Sequence, residues 1–483
     1  TTNACLPGTS CSMATSACLP MSITLPDAGL PDGGMDASVP APDAGDAGPD
    51  AFCMSASPVA FEARTICVGE HFACAIRSGR VLCWGSNDGG QMGDGVPEMD
   101  TPDTGPADAG FIHLIPRDHE PFNMPAGTDP YDSALMPVAV RTYSAELSNV
   151  RSISCGGNFA CALQNDGVVS CWGTLSQYGF VAVATPVISG ASSLHTGKQH
   201  ACARVGGEYQ CWGENSFNLS SYPEFDERVD GRLGLGVVGT SAPMAAVDFA
   251  GASLIELGSI FTCTAECGGV YCQGTSEGSV CGNAPVFGTS RSGGTIGLPV
   301  AVRTANRILD GVPTDIHAGD FHACVLIDGS VQCFGGNATL QLGTEDGDID
   351  CFGTGSWVCS PSPLAVVSPP GRLYARLGHG VSSTSCAITA ADGQVYCWGD
   401  NGEGRAGVPD PLGHQSTLID TSVQKSTGPL MGVREVAVGT SSTCAVLAAD
   451  GSVYCWGANG AGQLGQGDAD TYEHSMAVQV SLP

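Results

Sequence analysis

Cysteine is the residue of this chain best equipped for chemistry, and its spacing decides which chemistry. Twenty-four cysteines occur among 483 residues. Seven times, two of them stand nine to eleven positions apart around a turn-forming segment: Cys74 and Cys83, Cys161 and Cys171, Cys202 and Cys211, Cys263 and Cys272, Cys324 and Cys333, Cys386 and Cys397, Cys444 and Cys455. In an antiparallel hairpin, facing residues have a constant sum of positions. That rule centres turns on Ser78-Gly79, Gly206-Gly207 and Asp328-Gly329, on Asn165-Asp166-Gly167, and on the two AADG loops, the dipeptides that tight hairpin turns require. Facing Cα atoms in a non-hydrogen-bonded pair lie roughly 4.5 Å apart, near the short end of the disulfide range. The spacing therefore predicts one bridge per hairpin, each contributing about 2–3 kcal/mol. Regular cysteines in such number imply an oxidising space rather than scattered catalytic thiols.

The remaining candidates are weaker. Cys351 and Cys359 flank one loop and are expected to pair. Cys263, Cys267, Cys272 and Cys281 have the residue types of a zinc site, but two disulfides, the second using Cys267 and Cys281, agree better with the other units. The partners of Cys5, Cys11, Cys18, Cys53, Cys67 and Cys155 stay open. Asp346, Asp348 and Asp350 alternate like the first half of a calcium loop, without glycine at the sixth position or an acid at the twelfth, Trp357; calcium there is the one metal candidate, and otherwise no cofactor is expected. His200 and His322 recur two residues before a repeat cysteine, with His71 near the same place, which reads as a structural histidine. His113 and His119, beside Asp118 and Glu120, read as a solvated loop rather than a zinc site. The spacings Gly402-x-Gly404-x-x-Gly407 and Gly460-x-Gly462-x-x-Gly465 match a dinucleotide fingerprint, but neither leads into a helix. Gly274-x-Ser276-x-Gly278 lacks the strand-to-helix setting of a nucleophile elbow.

Composition narrows the partners. With 48 acidic against 18 basic residues the formal charge is −30, which repels phosphate backbones and anionic membranes. Nucleic acid is not an expected partner. Only Lys198 and Lys425 supply lysine, so a P-loop or Schiff-base lysine has almost nowhere to sit. No apolar run approaches the roughly 20 residues of a membrane helix. The expected location is extracellular or the cell surface, reached through a signal peptide absent from this numbering.

Residues 1–55 differ from the rest: a small cysteine cluster is followed by a Pro/Ala/Asp/Gly tract, expected to be an extended linker. From 56 to 483 a repeat takes over, with an apolar strand, a glycine, a cysteine, a turn, a second cysteine and often Trp-Gly with a Gly-rich tail. Seven short-stranded units that cannot cover their own faces must stack radially, giving an all-β, seven-bladed propeller. An insertion at roughly 96–136 separates the first and second units. The alternating run Met476, Val478, Val480, within 476–480, is expected to complete the first blade and so close the ring.

The units GDFHACVLIDGSVQCFGGN (319–337) and DGSVYCWGANGAGQLGQGD (450–468) resemble the repeat of the regulator-of-chromosome-condensation family, over about residues 58–483. The resemblance implies four-stranded blades that present loops to protein partners. The eukaryotic founder is a guanine-nucleotide exchange factor on chromatin; this acidic, cysteine-bridged chain departs from that setting, and the exchange activity is not carried over. A secreted bacterial β-lactamase inhibitor of the same propeller type makes an inhibitory or adhesive role an alternative. The second unit breaks the pattern after Trp172, and the fourth has Gln273 where Trp belongs.

The expected function is a non-catalytic extracellular interaction protein whose N-terminal segment engages another molecule, including a second copy of itself. Met21, Ile23 and Leu25 alternate and suit strand addition; the tract from Asp27 to Cys53 could span roughly 80 Å at about 3.1 Å per residue. The alternative is a monomeric propeller that binds or inhibits another protein through the segments 96–136 and 340–362. An enzyme would need acid, base and nucleophile to converge on the central channel. No such convergence is visible in the sequence, so none is expected, and a cluster of ionisable side chains on inner strands of several blades is the observation that would reopen the question.

Overall fold

The computed structural model describes residues 63–94, 133–175, 179–214, 252–266, 269–275, 311–346, 358–409 and 422–483, together with strand segments at 9–11, 18–20, 242–247, 295–301, 303–304, 307–308 and 416–417. The chain divides into two compact units, Thr1–Gly48 and Pro49–Pro483. In the first, Thr9–Cys11 and Cys18–Pro20 pair antiparallel with Cys11 opposite Cys18. Met21, Ile23 and Leu25 lie outside the described residues.

The second unit is a seven-bladed propeller whose blades are antiparallel sheets of four strands taken in chain order; in the seventh, Gln424–Lys425, itself paired with Gly428–Pro429, adds in parallel to Asp470–Gln479. The first strands are Ile66–Val68, Val150–Cys155, Ala191–Thr196, Leu254–Leu257, Pro313–Ala318, Tyr374–Leu377 and Val433–Val438. Each leads through a short glycine-containing turn into a second strand, and the second and third strands form the cysteine hairpin. The seven hairpin pairs face each other in register and are disulfide-bonded, with Cα atoms 4.0–4.1 Å apart. Gly79, Gly207 and Gly329 take positive φ at the turn tips, where other side chains are strained.

Blades hold one another by repeated contacts that explain the repeat's spelling. The Trp84, Trp172, Trp398 and Trp456 indoles donate to the carbonyls of Gln463, Gln91, Gln341 and Arg405 in the preceding blade's Gly-rich tail, at 2.8–2.9 Å. The tail glycine sits against the ring: at Gly465, with φ +63, an added Cβ would lie 3.0 Å from the Trp84 ring. The second unit lacks this tail, and the buried Nε1 of Trp212 in the third blade has no hydrogen-bond partner among the described residues. Nearer the axis, Glu70 N donates to Gly157 O, Gly157 N to Lys198 O, Lys198 N to Gly258 O, Ser259 N to Gly319 O, Asp320 N to Ser382 O, and His379 N to Val436 O. The Thr440 hydroxyl on Glu70 O completes the circuit at 2.9 Å.

Two boundaries differ from the sequence expectation. The strand Ser133–Ala139 pairs with Arg80–Ser86, so the insertion lies inside the first blade, before its fourth strand, and not between units. That strand fills the edge predicted for the C-terminus. Asp470–Gln479 instead pairs with Val453–Asn459 as the fourth strand of the seventh blade. Every blade is thus contiguous in sequence. First and last blades meet through the Trp84 bond, through Gly467 N donating to Leu135 O at 2.9 Å, and through a shared apolar cluster containing Ile66, Trp84, Val446 and Val480.

Candidate functional site

The first strands read polar and apolar alternately. Ile66, Ile153, Leu194, Ile255, Ile316, Leu377 and Val436 each enter the apolar cores of the blades. Period-two geometry then turns their neighbours the other way. The result is an axial pocket of about 420 Å³, whose lining includes Arg64, His195, Glu256, Asp315, His379 and Glu435. These six come from the first, third, fourth, fifth, sixth and seventh blades.

Arg64 forms a hydrogen-bonded ion pair with Glu256 across the ring. The same carboxylate stands 3.7 Å from His195 Nδ1. Glu435 accepts from Thr65 N at 2.8 Å, Ile66 N at 3.2 Å and the Thr65 hydroxyl at 2.6 Å; His379 Nε2 lies 3.2 Å from it. Asp315 accepts from Leu377 N at 2.8 Å and from Ile316 N at 3.0 Å.

Burial governs how these groups titrate, because a low-dielectric site penalises charge. It lowers Arg64 to about 10 and raises Asp315 to about 6. It holds His195 well below the usual imidazole value, with Arg64 and His379 adding repulsion, and depresses His379 too despite Glu435. Beside the pocket, burial takes His317 to about 4. Glu435 goes the other way: burial would raise it, but His379 and the Thr65 hydrogen bonds outweigh that and bring it below the usual carboxylate range. At neutral pH the pocket thus combines guanidinium, carboxylate and neutral imidazole.

This convergence of ionisable groups was not expected from the sequence, and the structure corrects that reading. The signal was present in SSLHTG, SLIELGS, TDIHAG and REVAVG, where polar and apolar residues alternate before the glycine. What carries it across blades is long-range assembly. Chemically, the carboxylates are engaged in holding strands: Glu435 is bonded to the first blade from the seventh, and Glu256 to Arg64 from the fourth. Hydroxyl–imidazole pairs occur elsewhere, at His200 with Thr262 (3.1 Å) and His322 with Ser385 (2.6 Å), fully buried between blades.

The other sequence candidates are placed as follows. His71 is one position off the recurring histidine site, is exposed and approaches Ser441 Oγ at 3.3 Å. Cys67 and Cys155, left open in the sequence, form a disulfide that joins the first strands of the first two blades across 88 residues. Their sulfurs and that of Cys74 lie within 4.8 Å of one another, but all three are consumed in disulfides. Cys359 is buried and disulfide-bonded; Cys351, Cys267 and Cys281 lie outside the described residues. Asp346 accepts the Thr344 hydroxyl at 3.1 Å, while Asp348 and Asp350 lie outside them, as do Ser276, His113 and His119. The two glycine triplets are blade turns: Gly407, for instance, packs on Trp456. No described helix is long and apolar enough to cross a membrane.

Comparison with known proteins agrees with this architecture. The family model for the regulator of chromosome condensation (RCC1) repeat matches residues 150–179, 381–405 and 433–463, and a second model of that repeat matches 450–481. The canine X-linked retinitis pigmentosa GTPase regulator is 30% identical over 173 residues, 36% of this chain and 16% of the relative. The Arabidopsis thaliana ultraviolet-B receptor UVR8 is 32% identical over 195 residues, 32% of this chain and 43% of the relative. The matches thus span less than half the length of these curated relatives. Among solved structures, Prp20p from Saccharomyces cerevisiae matches at TM-score 0.58 and 16% identity, covering 85% of this chain and 87% of that one. Human WBSCR16 matches at 0.58 and 16%, covering 84% and 95%. Repeat signature and blade geometry together make this chain a disulfide-rich seven-bladed propeller that carries matches to the regulator-of-chromosome-condensation repeat within residues 150–179, 381–405 and 433–481.

Proposed function

We propose that the protein is a non-catalytic, extracellular interaction propeller that binds another protein. The carrying observation is its bracing: every blade has a hairpin disulfide, and one more bridge joins the first blade to the second, chemistry that persists in oxidising compartments. Similarity of fold supports the binding role: the structure of yeast Prp20p is described together with its binding to Gsp1p and histones, and yeast RCC1 has been solved bound to Kap60. A chain with a formal charge of −30 favours protein over nucleic acid as the partner.

Self-association through residues 1–55 is the specific form of binding that composition favours, resting on the strand-like alternation of Met21, Ile23 and Leu25. Two measurements test these levels separately. Alkylation of protein taken from its native source, without reductant, is expected to find the hairpin cysteines blocked; free thiols there would remove the extracellular reading. Light scattering on the full chain and on residues 56–483 is expected to show a smaller particle after truncation, beyond the lost mass. An unchanged assembly state would eliminate the tail, leaving the monomeric binder.

A further inference from the structure

With two lysines among 18 basic residues, sixteen are arginine, and four of these, Arg64, Arg204, Arg376 and Arg434, line the axial pocket. Against them stand Glu256, Asp315 and Glu435. With the imidazoles neutral, the lining is net positive inside a chain whose formal charge is −30. Cross-blade bonds engage Arg64, Glu256, Asp315 and Glu435, but they do not account for the excess of arginine over carboxylate in the lining.

We propose that the axial pocket binds a small organic acid that also carries hydroxyl groups, of the acidic-sugar class. The guanidinium fork matches a carboxylate in two parallel hydrogen bonds. Arg434 is held at the pocket for this role: its side chain is 41% exposed, with Nη1 3.6 Å from a Glu435 carboxylate oxygen and Nη2 donating to the Thr65 hydroxyl at 2.7 Å. Arg204 stands with its guanidinium carbon 5.6 Å from the Tyr209 ring centre, making a flat wall beside the opening. The carboxylates deeper in the pocket accept hydroxyl groups and repel a second negative charge, which selects a singly charged acid over the phosphate dianion. A volume of about 420 Å³ falls within the range of small-molecule sites. The site stands independently of any protein partner.

The test is calorimetric titration of the full chain at neutral pH with glucuronate, glucose and inorganic phosphate. Glucuronate is expected to bind saturably, with glucose and phosphate each at least about tenfold weaker. Arg434→Gln and Arg376→Gln should each weaken glucuronate about fivefold or more, at unchanged melting temperature, while Arg77→Gln, away from the pocket, leaves binding as it was. Absence of glucuronate binding overturns the proposal. So does equal binding of glucose, which would make charge irrelevant, or equal binding of phosphate, which would make the carboxylate fork irrelevant. Undiminished affinity in both pocket variants, properly folded, places the ligand elsewhere and has the same force.

Discussion

At the scale of single residues, buried ionisable groups make stability depend on pH in two opposing ways. His317 is lowered by burial to about 4, so its contribution is complete above the ordinary value of 6.5 and is lost as pH falls towards 4. His195, His322 and His379 act in the same direction. Asp315 is raised to about 6; its contribution is complete below 3.8 and lost as pH rises through 6. Each shift of about two units corresponds to about 3 kcal/mol. Burial raises Asp320 as well; four imidazoles against these two carboxyls predict that the thermal midpoint falls on acidification from pH 7 to 5, and that Asp315→Asn steepens the fall by removing one of the opposing groups. A midpoint flat across that window would mean these histidines are open to water. The alternation on each first strand was legible in the sequence, but the convergence was not, because His195, Glu256 and Asp315 sit more than fifty residues apart and only the ring brings them together. The hairpin cysteines were legible because their chemistry is local: both partners and the turn between them fall within a dozen positions.

Between elements, neighbouring blades are matched by a paired choice of residue. Two positions before the first hairpin cysteine stand Phe72, Phe159 and Phe261, and the next blade answers with Ala160, Ala201 and Ala323 in the same apolar clusters. Where histidine takes the place, at His200 and His322, the next blade supplies Thr262 and Ser385 as hydrogen-bond partners. The structural reading of these histidines follows from that complementarity. His322→Phe alone leaves the buried Ser385 hydroxyl without its imidazole and is expected to cost about 1–3 kcal/mol. Adding Ser385→Ala recreates the Phe–Ala pair used elsewhere and should recover most of the loss, a coupling that a double-mutant cycle by denaturant unfolding measures. Simple additivity of the two changes would show that the sites do not communicate. The sequence displayed the recurrence of histidine but not its partner, since the partner lies about sixty residues on. For the same reason the fourth strands were misassigned: after a long insertion, the chain's own Ser133–Ala139 was available to the first blade, and spacing alone could not say so.

For the whole molecule, the bridges differ in reach. Seven close loops of nine to eleven residues, whereas Cys67–Cys155 closes 88. If chain entropy dominates, removing the long one costs about 4–5 kcal/mol and a hairpin bridge about 3 kcal/mol or less. Replacing both Cys67 and Cys155 by alanine should therefore lower the denaturant midpoint more than replacing Cys324 and Cys333. The reverse order would show that local strand geometry, not loop length, governs the bracing. Because each blade is contiguous and the last lends no strand to the first, the circle is fastened at its two ends only by side-chain docking and a few main-chain bonds. A load applied to the chain's ends would meet its weakest joint there, so single-molecule stretching should part the terminal blades first, as a split washer springs open, before any four-stranded sheet unravels.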